Sequence, residues 1–149
     1  MSRPAPFEIR AVQKKDRAAL SLVFQSSFSH EPFLEKWTWL TAQKRVSQIL
    51  ADPQVVGWVA TVFGTPVGFS FLQVRQGAHE SYGELLETAV HPYFQNQGIE
   101  QTLFKSIRLY QKDKKIKNVM VLAFRGKHEK LFKGAGWSKS NRTVVYVSP

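Results

Sequence analysis

The sequence predicts an α/β domain, a mixed and mostly antiparallel sheet flanked by about four helices. The run VVGWVATVFGTPVGFSFLQVRQ contains two β-rich segments joined at a glycine turn, the mark of an antiparallel hairpin. ELLETAV, Glu84 to Val90, leads through a polar turn into a helical stripe of Ile99, Leu103, Ile107 and Tyr110, and then into KNVMVLAF. That strand–helix–strand order supplies a crossover, and a crossover is what allows two strands to run parallel. At 149 residues the chain is expected to form a single domain, residues 1–149.

Residues 1–6 carry two prolines and little to bury, so a tail is expected there. FEIRAV reads as the first strand, with Phe7 and Ile9 on one face. Asp16 is placed to cap a helix over 17–28, in which Leu20, Val23 and Phe24 recur at helical spacing. A second helix is expected from Phe33 to Leu50, stopped by Asp52-Pro53, with buried packing expected for Trp37 and Trp39 and a pocket wall as the alternative. The hairpin is expected to turn at Gly64-Thr65-Pro66, and the polar stretch from Gly77 to Gly83 to form a loop. The strand Glu84–Val90 ends at His91-Pro92, and the next strand covers Asn118–Phe124. A short helix over Lys127–Lys133, a Gly-Ala-Gly break and a closing strand over Thr143–Val147 complete the order.

With 43% hydrophobic and 13% aromatic residues the chain is not disordered, and no run approaches the roughly 20 apolar residues of a membrane span. MSRPAPFEIR lacks the apolar core and cleavage pattern of a secretory signal. The absence of cysteine excludes disulfides, thiolate metal sites and a cysteine nucleophile, and a cytoplasmic location is the default expectation. His30, His79, His91 and His128 show no metal-ligand spacing. The formal net charge is +10, and from Lys105 to Arg142 twelve Lys/Arg face only Asp113 and Glu129. Such density suits a phosphate-rich ligand, a nucleic acid or simply a solvated face. No nucleic-acid recognition motif accompanies it, so nucleic acid ranks last among expected partners.

The chemistry concentrates in VHPYFQNQGIEQTLF, Val90 to Phe104. A strand feeding a helix through a glycine turn leaves the first helical N–H groups without partners, and the helix dipole makes them an anion trap. Gly98 lets the backbone approach a ligand, and Gln95 and Gln97 add neutral donors. The spacing matches neither a Walker A loop nor a dinucleotide fingerprint. Gln95-Asn96-Gln97-Gly98-Ile99-Glu100, preceded by LLETAVHPYF, instead resembles the acetyl-CoA motif of the GNAT superfamily of N-acetyltransferases, Gln/Arg-x-x-Gly-x-Gly/Ala. FEIRAVQKKD looks like that family's opening, and LFKGAGW, Leu131 to Trp137, looks like its closing Leu-Tyr-x-x-x-Gly-Phe segment.

The resemblance implies the GNAT fold, in which a central parallel strand pair splays to admit acetyl-CoA as acyl donor. It places the pyrophosphate on the amides of Gln95 to Glu100 and the pantetheine arm beside Thr88, Ala89 and Val90. The second splayed strand would be Asn118–Phe124, and Arg125, Lys127 and Lys133 are candidates for the 3′-phosphate. An amide-rich arm pairs with free strand-edge groups much as an added strand does.

Two residues depart from the pattern. Glu100 stands where the family prefers glycine or alanine, and a carboxylate ~4 Å from a phosphate costs on the order of 1–4 kcal/mol in wet surroundings. Phe132 stands at the position of a tyrosine assigned as proton donor to the leaving thiolate. A thiol with a pKa of about 8.5 leaves without much help, so the reaction is expected to slow rather than stop. A neutral amine is also required, and Glu84 is the expected base, with Glu87 second and on the opposite face by strand alternation. The expected activity is therefore transfer of an acetyl group from acetyl-CoA to a primary amine on a small molecule or peptide. A catalytically weak CoA-binding or regulatory module is the alternative. The acceptor cannot be read from the sequence, and oligomeric state stays open, a homodimer included.

Overall fold

Five strands build one sheet whose spatial order follows the sequence: β1 (Phe7–Ala11), β2 (Val55–Val62), β3 (Thr65–Gln76), β4 (Ser81–Val90) and β5 (Val119–Val121). The computed structural model of the chain describes residues 3, 5–31, 33–123 and 125–149. The first three pairings are antiparallel, and β4–β5 is parallel. Helices α1 (Arg17–Phe28) and α2 (Trp39–Ala51) cover one face, burying Phe24, Phe28 and Val46 against Val59, Phe69 and Phe71. On the other face lie α3 (Ile99–Asp113) and α4 (Lys127–Gly134), where Leu103, Phe104, Ile107 and Phe132 pack on Val90, Leu72 and Leu85.

Several boundaries differ from the sequence expectation. The second helix starts at Trp39, six residues late, because Thr38 and Thr41 form a reciprocal cap: Thr41 N–H donates to Thr38 Oγ1 at 3.1 Å and Thr38 N–H to Thr41 Oγ1 at 3.0 Å. The freed stretch 33–38 becomes a loop, with Phe33 and Trp37 packed against the α1–α2 core. The hairpin turns at Phe63-Gly64, both at positive φ, and Thr65 pairs with Val62. Two left-handed residues are what a tight hairpin needs. Asp16 does not cap α1 with its side chain; it accepts from Gln13 N–H at 2.8 Å and pairs with Arg10 of β1 at 2.7 and 2.8 Å. Of the expected tail, residues 1, 2 and 4 lie outside the described residues, while Ala5 packs against the α3 side of the core. The strand expected to reach Phe124 ends at Val121, and Phe124 itself is outside the described residues. Residues 143–147, expected as a closing strand, lie in no strand, and Val144 to Val147 are exposed.

One irregularity in β4 positions the site. Phe71 pairs with Glu87 and Leu72 with Leu85, so Leu86 is an extra residue on β4, a β-bulge. Glu84 pairs with Gln73, two residues from Phe71, so the bulge returns Glu84 and Glu87 to the same face. The alternation that would have separated them is thereby broken. Among the described residues the β4–β5 ladder runs only from Gly83–Val119 to Leu85–Val121 and stops at the bulge, which leaves the edge of 86–90 without a strand partner there.

Candidate active site

The first part of the site is the turn after β4. Pro92–Phe94 form one 3₁₀ turn, Asn96 and Gly98 adopt left-handed φ of 61° and 91°, and α3 begins at Ile99. At Gly98 a side chain would be strained, which is why glycine stands there. Gln95 and Gln97 do not point outward as free donors. Their amides fold back onto Val90 O at 3.0 Å and Tyr93 O at 3.2 Å, fastening the turn. What remains are main-chain donors: the N–H groups of residues 96–101 have no acceptor among the described residues, the first paired one being Thr102, which bonds Gly98 O. Ile99 fixes this ring of donors by burying its side chain under the sheet. Glu100 lies half-buried beside it, and its Oε2 is buried with no hydrogen-bond partner.

The second part is the open edge of β4. His91 N–H bonds back to Val67 O, so alternation turns the amides of residues 88 and 90 away from β3, toward the opening. Thr88 Oγ1 is held by Ser70 at 2.7 Å and Phe69 O at 3.2 Å, and Ala89 packs toward α1. Ser27 Oγ and Gln95 Nε2 both donate to Val90 O at 3.0 Å, which anchors the end of the strand.

The third part is a cavity of about 170 Å³ on the α1–α2 face at the mouth of the β4–β5 opening. It is bounded by Phe24 and Phe28 of α1, by Phe33, Glu35 and Trp37 of the loop, by Glu87 and Thr88, and by His128 of α4. Arg45 of α2 donates to Glu87 Oε1 through Nε at 3.2 Å and Nη2 at 3.0 Å. Burial holds the Glu87 carboxyl above the usual carboxylate range, opposed by the Arg45 charge and reinforced by the nearby charge of Glu35. Burial also pushes His128 below the ordinary imidazole value, so it is neutral at pH 7. Trp37 Nε1–H donates to Glu35 Oε2.

Glu84 falls outside this cavity; it faces Arg75, 3.0 Å away, in a half-exposed ion pair. Phe132 is buried, with its ring 4.9 Å from that of His128 and 5.4 Å from Phe104, so it backs the cavity as packing. Lys133 pairs with Glu129 at 3.4 Å, Arg125 is exposed, and the side chain of Lys127 lies outside the described ones. His30 bonds Ser26 O, His79 is exposed, and His91 Nδ1 accepts from Tyr93 N–H. Sequence reasoning missed Glu35 and Arg45, and ranked Glu87 second. Glu35 was marked only by the aromatic residues around it and Arg45 by nothing local; Thr38 and Thr41 could have signalled the late start of α2, but the bulge that unites these groups leaves no mark in one sequence.

This architecture recurs in solved acetyltransferases. A ribosomal-protein-alanine N-acetyltransferase from Brucella melitensis biovar Abortus 2308 superposes with a TM-score of 0.76 at 16% identity, over 97% of this chain and 99% of that one. The chain has the GNAT acetyltransferase fold. A predicted acetyltransferase from Clostridium acetobutylicum, solved with acetyl-CoA, gives 0.76 at 13% identity over 95% and 96% of the two chains. The aminoglycoside N-acetyltransferase AAC(6')-Iy, solved with CoA, gives 0.72 at 15% identity over 99% and 98%. No family model and no curated protein matches the sequence. No helix among the described residues is long and apolar enough to cross a membrane.

Proposed function

We propose that the protein is an N-acetyltransferase that moves an acetyl group from acetyl-CoA to a primary amine by direct attack on the thioester. One observation carries this reading: the opening beside β4 has a run of unpaired main-chain donors at one end and the half-buried Glu87 carboxylate at the other. The donors of 96–101 suit a diphosphate, and the outward-turned N–H groups of 88 and 90 suit an amide-rich arm. When bound, acetyl-CoA supplies an activated acetyl group, and the Val90 N–H is placed to polarise its carbonyl.

Glu87 replaces Glu84 as the base in this reading, since Glu87 lines the cavity and Glu84 does not. An acceptor arrives as an ammonium of pKa about 10.4, so one proton must leave first. Glu87 takes that proton. The nitrogen lone pair then forms the C–N bond as the C–S bond breaks, and the second nitrogen proton goes to the departing thiolate. Phe132 cannot supply it. Two neighbours are named for ribosomal-protein alanine and for aminoglycosides, so an amine acceptor, small or peptidic, accords with the fold.

The experiment is calorimetric titration with acetyl-CoA followed by measurement of CoA release over an amine panel. Binding with release supports the transferase, and no binding with no thermal shift removes it. Phe132 and Glu100 favour a second reading, a CoA-binding module, which binding without release on any amine would establish. A homodimer also belongs to the proposal, formed through the exposed run Val144–Val147.

A further inference from the structure

The acceptor is left open above, and the cavity narrows it. We infer that the acceptor is a small monoamine with a flat apolar body, its ammonium seated between Glu35 and Glu87 and its body against Phe28, Phe33 and Trp37. This rests on the acetyl-transfer reading, because it takes the cavity as the acceptor side of that reaction.

Three observations lead there. The cavity is walled by an aromatic cluster in which the Phe24 ring lies 4.6 Å from both Phe28 and Trp37, and Phe28 lies 5.0 Å from Phe33. Edge-to-face clusters of this kind receive a further ring, and ring faces attract a cation. The acidic groups lining it are Glu35 and Glu87, with no Lys or Arg among the lining residues; Arg45 reaches Glu87 from outside. With Glu87 already paired to Arg45, two acidic groups and one guanidinium leave a formal charge of about −1 beside the ring faces, a seat for one positive charge.

Size and field exclude larger cations. A volume of about 170 Å³ is below the ~300 Å³ at which drug-sized pockets begin, so one ring with a short amine arm fits and a multi-ring aminoglycoside does not. The chain carries +10, so each additional positive charge on an acceptor is repelled at a distance, while a single charge answers the acidic group left over once Arg45 has paired with Glu87. The lining also includes Thr88 and Val121, at the parting of β4 and β5, which sets the amine end toward the thioester.

The test titrates the full chain with 2-phenylethylamine, spermidine and kanamycin in the absence of acetyl-CoA, and then measures CoA release with the same three. We expect 2-phenylethylamine to bind at least about tenfold more tightly than either polycation, and Glu35→Gln and Glu87→Gln each to weaken it about tenfold. Polycations binding as tightly, or 2-phenylethylamine binding unchanged in both variants, would overturn the inference. The ranking of the three amines on the unaltered chain stands even if a variant fails to fold. Selective binding of 2-phenylethylamine without CoA release would keep this cavity assignment and sink the transferase reading. Release with spermidine or kanamycin alone would do the reverse.

Discussion

Glu100 stands beside the unpaired donors of 96–101 with its own Oε2 unpartnered, so under the proposed function it sets how strongly the turn holds a diphosphate. Replacing it removes a like charge without touching the donors of 96–101. Glu100→Ala is therefore expected to tighten acetyl-CoA binding about tenfold, the lower part of the Coulomb range at ~4 Å, as read by calorimetry. An unchanged affinity would show that the carboxylate swings clear at no cost. Glu87 gives a pH prediction with a definite sign. A base acts when deprotonated, and burial has raised this carboxyl, so kcat/KM should rise with pH through a midpoint above the usual 4.5. Arg45 lowers that midpoint and Glu35 raises it. Arg45→Met should move the acid limb upward and Glu35→Gln downward, while Glu87→Gln should erase it and cost about 10²–10⁴ in rate. If both neighbours' variants move the limb the same way, another group is titrating.

At the scale of elements, Asp16 ties β1 to the start of α1. It is 4% exposed and accepts from both the Arg10 guanidinium and Gln13 N–H. The Arg10 hydrogen bond, ahead of the smaller opposing effect of burial, holds its carboxyl below the usual range. A depressed acid adds stability that is present above its unfolded value of 3.8 and lost as pH falls through the lower folded value. Asp16→Asn should cost about 2 kcal/mol in urea unfolding at pH 7, the worth of a charge-assisted pair, and the loss should shrink below pH 3.8. Asp16 also shows how sequence and structure divide. Its place before a helix was legible from residue type, but its partners were not, because Arg10 belongs to a different element. Periodicity made the hairpin, α1, α3 and the crossover legible for the same reason, since each is written locally. The bulge at Leu86 arises from how β4 meets β3, and without it Glu84 and Glu87 cannot be ranked. The strand read into residues 143–147 has the opposite cause. Val144 to Val147 have strand propensity, but a strand forms only by pairing, and among the described residues this run pairs with no strand of its own chain.

For the molecule as a whole that unpaired run matters more than the net charge. Repulsion from +10 opposes association, yet Val145 and Val147 are 67% and 86% exposed, and Tyr146 is 91% exposed. Apolar β-prone residues left in water attract a partner strand, and the sheet offers one: β5 is three residues long, has no neighbour on its outer side among the described residues, and exposes Met120. A second copy supplies a matching segment with no further chemistry, so two chains can lend each other residues 143–147. Light scattering on the eluting peak of a sizing column is expected to give a dimer whose mass falls to that of one chain in Val145→Lys. Raised salt should strengthen the dimer, because it screens the repulsion between two cationic chains and leaves the apolar contact in place. A single-chain mass at every concentration and salt tested would mean that Val144 to Val147 remain solvated, with the sheet complete at five strands.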